Sequence, residues 1–446
     1  MRDGKRSLPA ILMIALLLSA CGGGEEPSVA EVSAVALKEE TFPGMLSGAD
    51  GEGTSGEGGE EGSRDGEEQT PESASAESGF AGMEEAVSAE SGFAGTEEGA
   101  SAGSGLLSGQ EDTISGSGEV GASEPDPDTV KVTISAAGDV TMGNYLGQGY
   151  EVSFRQTYDQ GVGDSYFFEN VADIFGADDL TLVNLEGPLT RSENARTEQT
   201  YCISGDPEYV NILTAGNVEV VGLANNHRLD YWEEGTADTV AALEEAGISY
   251  AYDDIYCMTQ VKGIRIGIVS VNEVGQGAGV EKFLKEGIAQ LRGQGADLVL
   301  ASCHWGIERE YYPEDYQKSL GRKCIDWGAD LVIGHHPHVL QGVEEYEGKF
   351  ILYSLGNFCF GANRNPEDKD CMIFQQTFTF VEGERREDRD IRVIPCSVSS
   401  VSTRNDYKPT PAQGQEAGRI LERINEYSRD FGVQFDSEGY LTQTDF

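Results

Sequence analysis

The sequence predicts an α/β domain after residue 129, with helices packed on the faces of largely parallel sheets. Two patterns predict it. From Val130 onward, short apolar runs alternate with helix-like stretches, the order that lays helices over sheet faces. Most of those runs are continuous in Val, Ile and Leu rather than alternating with polar residues, so their strands are buried on both faces.

In chain order the strand candidates are "VKVTISAAG", "DLTLVNLE", "VEVVGLAN", "IRIGIVSV", "ADLVLASCH", "ADLVIGH", "KFILYSLG", "CMIFQQTFTFV" and "DIRVIPCSVS". Helices between them are punctuated. Asp206 caps and Pro207 opens "PEYVNILTAG", because proline's missing N–H costs nothing in a first turn. Gly247 closes "YWEEGTADTVAALEEAG", and further helices fit Glu281 to Leu291, Glu314 to Trp327 and Gln413 to Arg429. The last two strands follow the helix-rich stretch and predict added antiparallel pairing. One domain over 130–400 with a helical extension over 401–446 accounts for this part.

The preceding residues have a different character. Over 1–20, Arg2, Lys5 and Arg6 precede the apolar run "ILMIALLL", and Ser19 and Ala20 follow it, the layout of an export signal. That run is too short to span a bilayer as a mature helix. "LSAC", Leu18 to Cys21, resembles the lipobox of bacterial lipoproteins, which implies a lipid on Cys21 and a place on the extracytoplasmic face of the cell membrane. The alternative is an ordinary secretory signal with an incidental cysteine. Residues 21–129 are rich in Gly, Ser, Ala and Glu, with only Lys38 and Arg64 opposing the acids. Such a stretch cannot bury enough apolar surface to offset chain entropy, and reads as a disordered acidic tether. Within it "SAESGFAGMEEA" recurs as "SAESGFAGTEEG", either as part of a passive spacer or as a Phe-centred docking motif.

The net charge of -47 disfavours nucleic acid and anionic lipid as partners. Beyond Cys21 the cysteines (Cys202, Cys257, Cys303, Cys324, Cys359, Cys371 and Cys396) lack any C-x-x-C pair, so no zinc ribbon is expected. Most read as small buried hydrophobes, although an exported chain permits a bridge or two.

The chemistry gathers at strand ends. "TISAAGD" ends in Asp139, "TLVNLE" in Glu186, "VVGLANNH" in Asn225, Asn226 and His227, "LVLASCH" in His304, and "LVIGHHPH" in His335, His336 and His338. Ligands of open α/β sheets bind beyond the carboxyl ends of the strands. Carboxylate, amide and imidazole together form a ligand set for divalent metal ions. There are more candidates than a lone zinc needs, so two ions are expected, the arrangement metallophosphatases use. Taken singly, each histidine is a rim or core residue and Asp139 a turn residue. All five histidines at strand ends beside Asp, Glu and Asn is a poor fit to packing alone. In an extended segment His336 and His338 share a side while His335 points away, which makes the first two ligands and His335 a supporting residue. Cys303, adjacent to His304, should face packing. Asn226 offers a neutral oxygen, leaving His227 to act as an acid or to stabilise charge.

These motifs resemble the bacterial capsule-synthesis CapA family, poly-γ-glutamate biosynthesis proteins related to calcineurin-like metallophosphatases. The resemblance runs from about Val130 to Phe360 through "AAGDVTMG", "VNLEGPLT", "LANNHRLDYWEEG", "HWGIE", "GADLVIGHHPHVLQG" and "YSLGNFCFG". It implies a four-layer α/β/β/α sandwich and a centre of two divalent ions, Mn, Zn or Fe. Asp139 would hold one ion, Glu186 would bridge, Asn226, His304 and His336 would hold the second, and His338 would return to the first. His227 would lie next to the scissile group. Asn225, Asp230, His335 and Asn357, in the same motifs, are candidates for supporting positions. The sequence departs from the pattern at Thr141, where an Asp-x-His histidine is absent and the first ion is left a ligand short. It also departs at Trp232, where D-x-G is common, and at Arg309, where an aromatic is usual.

The implied function is a surface-anchored, dimetal-dependent hydrolase-like protein in synthesis, attachment or trimming of extracellular poly-γ-glutamate. The partner is that polymer or its synthase complex. The alternatives are a non-catalytic accessory subunit of a membrane polyglutamate synthase or exporter, a metallophosphoesterase with another substrate, and a surface spacer.

Overall fold

The computed structural model describes residues 35–36, 129–387 and 389–442. The export-signal reading, Cys21 and, apart from Val35–Ala36 and Thr129, the tether lie outside the described residues. Strands of three residues or more are β1 (Thr129–Thr141), β2 (Leu180–Leu185), β3 (Val220–Gly222), β4 (Ser249–Ala251), β5 (Cys257–Val261), β6 (Ile264–Asn272), β7 (Leu298–His304), β8 (Leu331–His335), β9 (Val343–Tyr346), β10 (Lys349–Leu352), β11 (Asn357–Phe360), β12 (Asp370–Val381) and β13 (Ile391–Ser397). The helices are α1 (Phe154–Asp159), α2 (Ala172–Phe175), α3 (Val210–Ala215), α4 (Trp232–Ala246), α5 (Val280–Gly293), α6 (Asp315–Trp327) and α7 (Gly414–Ser428).

Two large sheets result. One runs Val35–Ala36, β5, β6, β7, β8, β10, β9, and its central strands β6, β7, β8 and β10 are parallel. The other runs Thr410–Pro411, β13, β12, β1, β2, β3, β4, with β1 to β4 parallel and β12 antiparallel to both β1 and β13. Strand β11 pairs in parallel with the end of β1.

The continuous apolar runs make sense once successive side chains are followed to opposite faces. Leu182, Val220, Ile268, Leu298 and Leu300 face the core between the two sheets, together with Ile134, Ile333 and Phe350. Their neighbours Val183 and Val221 face the opposite way, packing with Phe167, Ile212, Leu213 and Leu243 beneath α3 and α4. Val269, Val299 and Ala301 pack with Leu284, Ile288, Leu291, Leu320 and Ile325 of α5 and α6. Three cores separate four layers, and the fold is the α/β/β/α sandwich that the resemblance implies.

All nine strand candidates contain strands. Missing from the sequence reading are β4, β5, β9 and β11, which are short and lie within a few residues of a turn. Asp206 caps the turn at Pro207–Tyr209 through a hydrogen bond accepted from Glu208 N, and Gly247 ends α4 at φ +75°. Helix α7 is tied to the sheet by Arg419, which donates to both oxygens of Asp370 at 2.7 and 2.6 Å, and by Arg423, whose Nη2 donates to Asp368 at 2.7 Å. All seven cysteines beyond Cys21 are buried free thiols; Cys303 packs in the α5–α6 core. Among the described residues, no helix is long and apolar enough to cross a membrane.

Candidate metal centre

Parallel strands from both sheets end at one place, and register decides what meets there. In one sheet Asp139 is opposite Asn184 on β2 and opposite Asn357 on β11. In the other, His304 on β7 is opposite His335 on β8. Gly138 makes the β1 end possible. A Cβ there would lie 1.9 Å from the Gly356 carbonyl oxygen, which accepts the Asp139 N–H at 3.0 Å.

Asp139, Glu186 and His338 bring ligand atoms within 4.8 Å of one another. His338 Nδ1 is 3.2 Å from Asp139 Oδ2 and 2.9 Å from Asn357 Oδ1, and its Nε2 is 3.7 Å from Glu186 Oε1. His304 Nε2 is 2.8 Å from Asn226 Oδ1, and the His304 and His336 rings lie 4.8 Å apart. His336 N donates to Asp139 Oδ2 at 3.3 Å.

The backbone differs from the extended segment assumed for "HHPH". His336 has φ +98° and His338 φ +58°, both in left-handed regions that non-glycine residues rarely occupy. The chain therefore turns sharply after β8. His335 does not point away: its Nδ1 lies 3.5 Å from Asp139 Oδ1, at the edge of hydrogen-bond reach, and neither ring nitrogen has a full hydrogen-bond partner.

His227 also approaches Glu186. Its Nδ1 is 2.8 Å from Asp230 Oδ2, and its Nε2 is 3.9 Å from Glu186 Oε1. Asp230 is fully buried and also accepts the Ile203 N–H at 2.6 Å, which fixes the carboxylate that orients the ring. Asn225 accepts from His227 N at 3.2 Å and donates to Leu185 O at 2.8 Å, locking the turn after β3.

The electrostatics call for positive charge. Burial pushes Glu186 up to about 7 against the pull of His338. Burial opposes ionisation of Asp139 as well, yet His335 and His338 hold its carboxyl well below the usual range. Burial alone would lower His338; Glu186 and Asp139 instead raise it to about 10. His336 falls to about 3 through burial and the charge on His338, and burial lowers His304. His227 is raised because Asp230 and Glu186 outweigh burial. The result is two buried carboxylates around a proton-bearing imidazole, with neutral histidines beside them. Both oxygens of Glu186 and Nδ1 of His336 are buried without a hydrogen-bond partner. Orphaned acceptors at this density suit a cation, and the residues fit divalent metal.

Two residues here escaped the sequence reading. Asn184 donates to Asp139 Oδ1 at 2.8 Å, lies 3.3 Å from His304 Nδ1, and accepts from Asn225 Nδ2 at 3.2 Å, so it joins the ends of both sheets. Glu308, exposed on the loop after β7, has a carboxylate oxygen within 4.8 Å of ligand nitrogens of His336 and His338. Thr141 is buried, its hydroxyl unpartnered.

Residues 133–362 match the family model described as bacterial capsule synthesis protein PGA_cap. The chain belongs to that family. PGA_cap proteins are part of the metallophosphatase-like superfamily, and the matched residues contain every position of the centre described above. Among relatives, the PGA biosynthesis protein CapA of Bacillus subtilis is 32% identical over 251 residues, covering 51% of this chain and 63% of that protein. The capsule biosynthesis protein CapA of Bacillus anthracis is 28% identical over 255 residues, covering 52% and 60%. A Mycobacterium tuberculosis protein named "Probable polyglutamine synthesis accessory protein" is 30% identical over 210 residues, covering 41% and 55%. The match thus spans about three fifths of the two Bacillus relatives.

Proposed function

We propose that this PGA_cap domain is a divalent-metal-dependent, hydrolase-like component of poly-γ-glutamate capsule synthesis, acting on synthesis, attachment or trimming of the polymer at the extracytoplasmic membrane surface. The observation that carries the reading is the buried Asp139, Glu186 and His338 group, with both Glu186 oxygens unpartnered. The names of the Bacillus relatives support the substrate, and the "LSAC" stretch supports a lipid anchor on Cys21.

Asp139, Glu186 and His338 would hold one ion, and Asn226, His304 and His336, with Glu186, a second. When bound, such ions polarise the bond under attack and offset charge that develops on its oxygens. The protein's own groups supply the rest. With Asp230 accepting from Nδ1, His227 presents Nε2 to the centre, and its raised pKa keeps a proton available there for a leaving group or for charge on an attacked oxygen. Asn225 and Asn357 hold the turn after β3 and the His338 ring in position.

A second reading has its own support. An accessory protein that retains the centre without turnover agrees with Thr141 at a ligand position and with the name of the mycobacterial relative. One substitution separates them. His227→Ala should leave metal uptake intact while reducing hydrolysis of defined poly-γ-glutamate by about 100-fold or more, the range general acids supply. If the parent hydrolyses nothing and the variant supports capsule formation as well as the parent, the accessory reading holds. Less than one bound metal per purified chain, with no metal-dependent rise in Tm, would sink the metal-dependent reading.

A further inference from the structure

We propose that Glu308 is a metal ligand, closing the solvent-facing side of the ion held by His336. The inference rests on the metal-dependent reading above and assigns a residue that reading does not use.

Two groups of potential ligands share His338. The inner one is Asp139, Glu186 and His338; the outer one is Glu308, His336 and His338, again with ligand atoms mutually within 4.8 Å. The outer group contains a second, independent sign of a missing partner. His336 is 4% exposed, and its Nδ1 makes no hydrogen bond. A buried imidazole with an unpartnered nitrogen beside a carboxylate is a ligand pair in want of a cation.

The loop that carries Glu308 is built to hold it there. Gly306, at φ +90°, turns the chain out of β7, and its N–H donates to the Tyr316 hydroxyl at 2.7 Å. Arg309, at φ +65°, donates its N–H to Pro337 O at 2.8 Å. Pro337 lies between His336 and His338, so the residue after Glu308 is bonded directly to the turn that carries both histidines. The Glu310 carbonyl accepts from Gln341 Nε2 at 2.8 Å, a further tie between the two loops. Glu308 is thus bracketed by anchored backbone, and its charge reaches both Glu186 and His338.

Charge balance points the same way. Asp139 and Glu186 bring two negative charges to a centre proposed for two divalent ions, and a third carboxylate reduces the excess in a buried setting where unbalanced charge is costly. The side chain is exposed, so an incoming anionic group can exchange with it at the mouth of the centre.

The test is calorimetric titration of the full chain with Mn2+, together with the visible absorption of the Co2+-loaded protein. The parent should bind two ions. Glu308→Gln should weaken one of the two by about 10-fold or more, or lose it, and alter the Co2+ spectrum. Glu308→Asp should fall between the two. Glu310→Gln, which removes an exposed charge from the same loop, should titrate like the parent; equal weakening in that variant would reduce Glu308 to a general field effect and overturn ligation. Two ions bound by Glu308→Gln within threefold of the parent's affinities, with an unchanged spectrum, would overturn the inference and leave the metal centre standing. A parent that binds no metal overturns both.

Discussion

A single amide holds together the ends of both sheets. Asn184 Nδ2 donates to Asp139 Oδ1 and faces His304 Nδ1, while its Oδ1 accepts from Asn225. If the amide donates to His304 Nδ1, the imidazole proton sits on Nε2 and is donated to Asn226 Oδ1 at 2.8 Å, which matches a histidine that burial keeps neutral. Asn184→Ala leaves the buried Asp139 carboxylate without that donor. Hydrogen bonds to charged groups contribute about 1.5–3 kcal/mol, so the metal-free variant should lose about 2 kcal/mol in urea unfolding. A loss below about 0.5 kcal/mol would mean that the amide is incidental. Nothing in "TLVNLE" distinguishes this residue, because an asparagine inside an apolar run carries no spacing signal until Asp139 is known to lie opposite it. Glu308 was hidden for another reason: it is one exposed acid in a chain with 78 Asp and Glu residues.

At the scale of elements, the apolar runs revealed the strands and the histidines revealed their ends, because five histidines among 446 residues are rare enough for position to carry meaning. Pairing and local backbone were not legible. Side chains alternate only along extended chain, and "HHPH" is not extended, since His336 and His338 are left-handed. The same conformation explains a departure at the start of α4. Trp232, at a position where the resembling family commonly has D-x-G, adopts φ +55°, and the Arg196 guanidinium lies 5.0 Å from its ring centroid. Left-handed backbone costs a non-glycine residue about 1–2 kcal/mol, and an exposed cation–π contact returns about 0.5–1. Trp232→Gly relieves the first and forfeits the second, while Trp232→Ala keeps the strain and loses the ring. The glycine variant should therefore be more stable than the alanine variant by about 1 kcal/mol, less whatever glycine adds to unfolded-chain entropy. Chemical denaturation of the pair checks it, and an alanine variant equal to or better than glycine would mean that Trp232 is unstrained.

Over the whole molecule, buried ionisable groups act together on stability as pH changes. At the strand starts opposite the centre, burial raises Asp178 to about 6 and Glu219 to about 7, although Thr181 donates hydrogen bonds to both. A carboxyl raised in the folded state binds more protons there than in the unfolded chain, so stability falls as pH rises between its unfolded and folded values. For Glu219 that window runs from 4.5 to about 7. His227 and His338 act in the same direction, since a histidine raised on folding contributes stability below its unfolded value and loses it as pH climbs through the folded one. Asp139 and Asp368 act oppositely: held low by His335 and His338 and by Arg423 respectively, against burial, they lose their contribution as pH falls below the ordinary carboxyl range. The net charge of -47 adds self-repulsion that eases on acidification. The metal-free protein should therefore be most stable near pH 5, weakening toward pH 7.5. Glu219→Gln keeps an oxygen to accept the Thr181 N–H and removes the titration. Its stability should match the parent's near pH 4 and exceed it by about 1–2 kcal/mol at pH 7.5, a figure reduced for partial exposure. Urea unfolding of both proteins from pH 4 to 8 in chelator decides the matter: parallel curves across that range would mean that folding does not raise Glu219, and the descent would have to come from Asp178, Glu186 and the histidines.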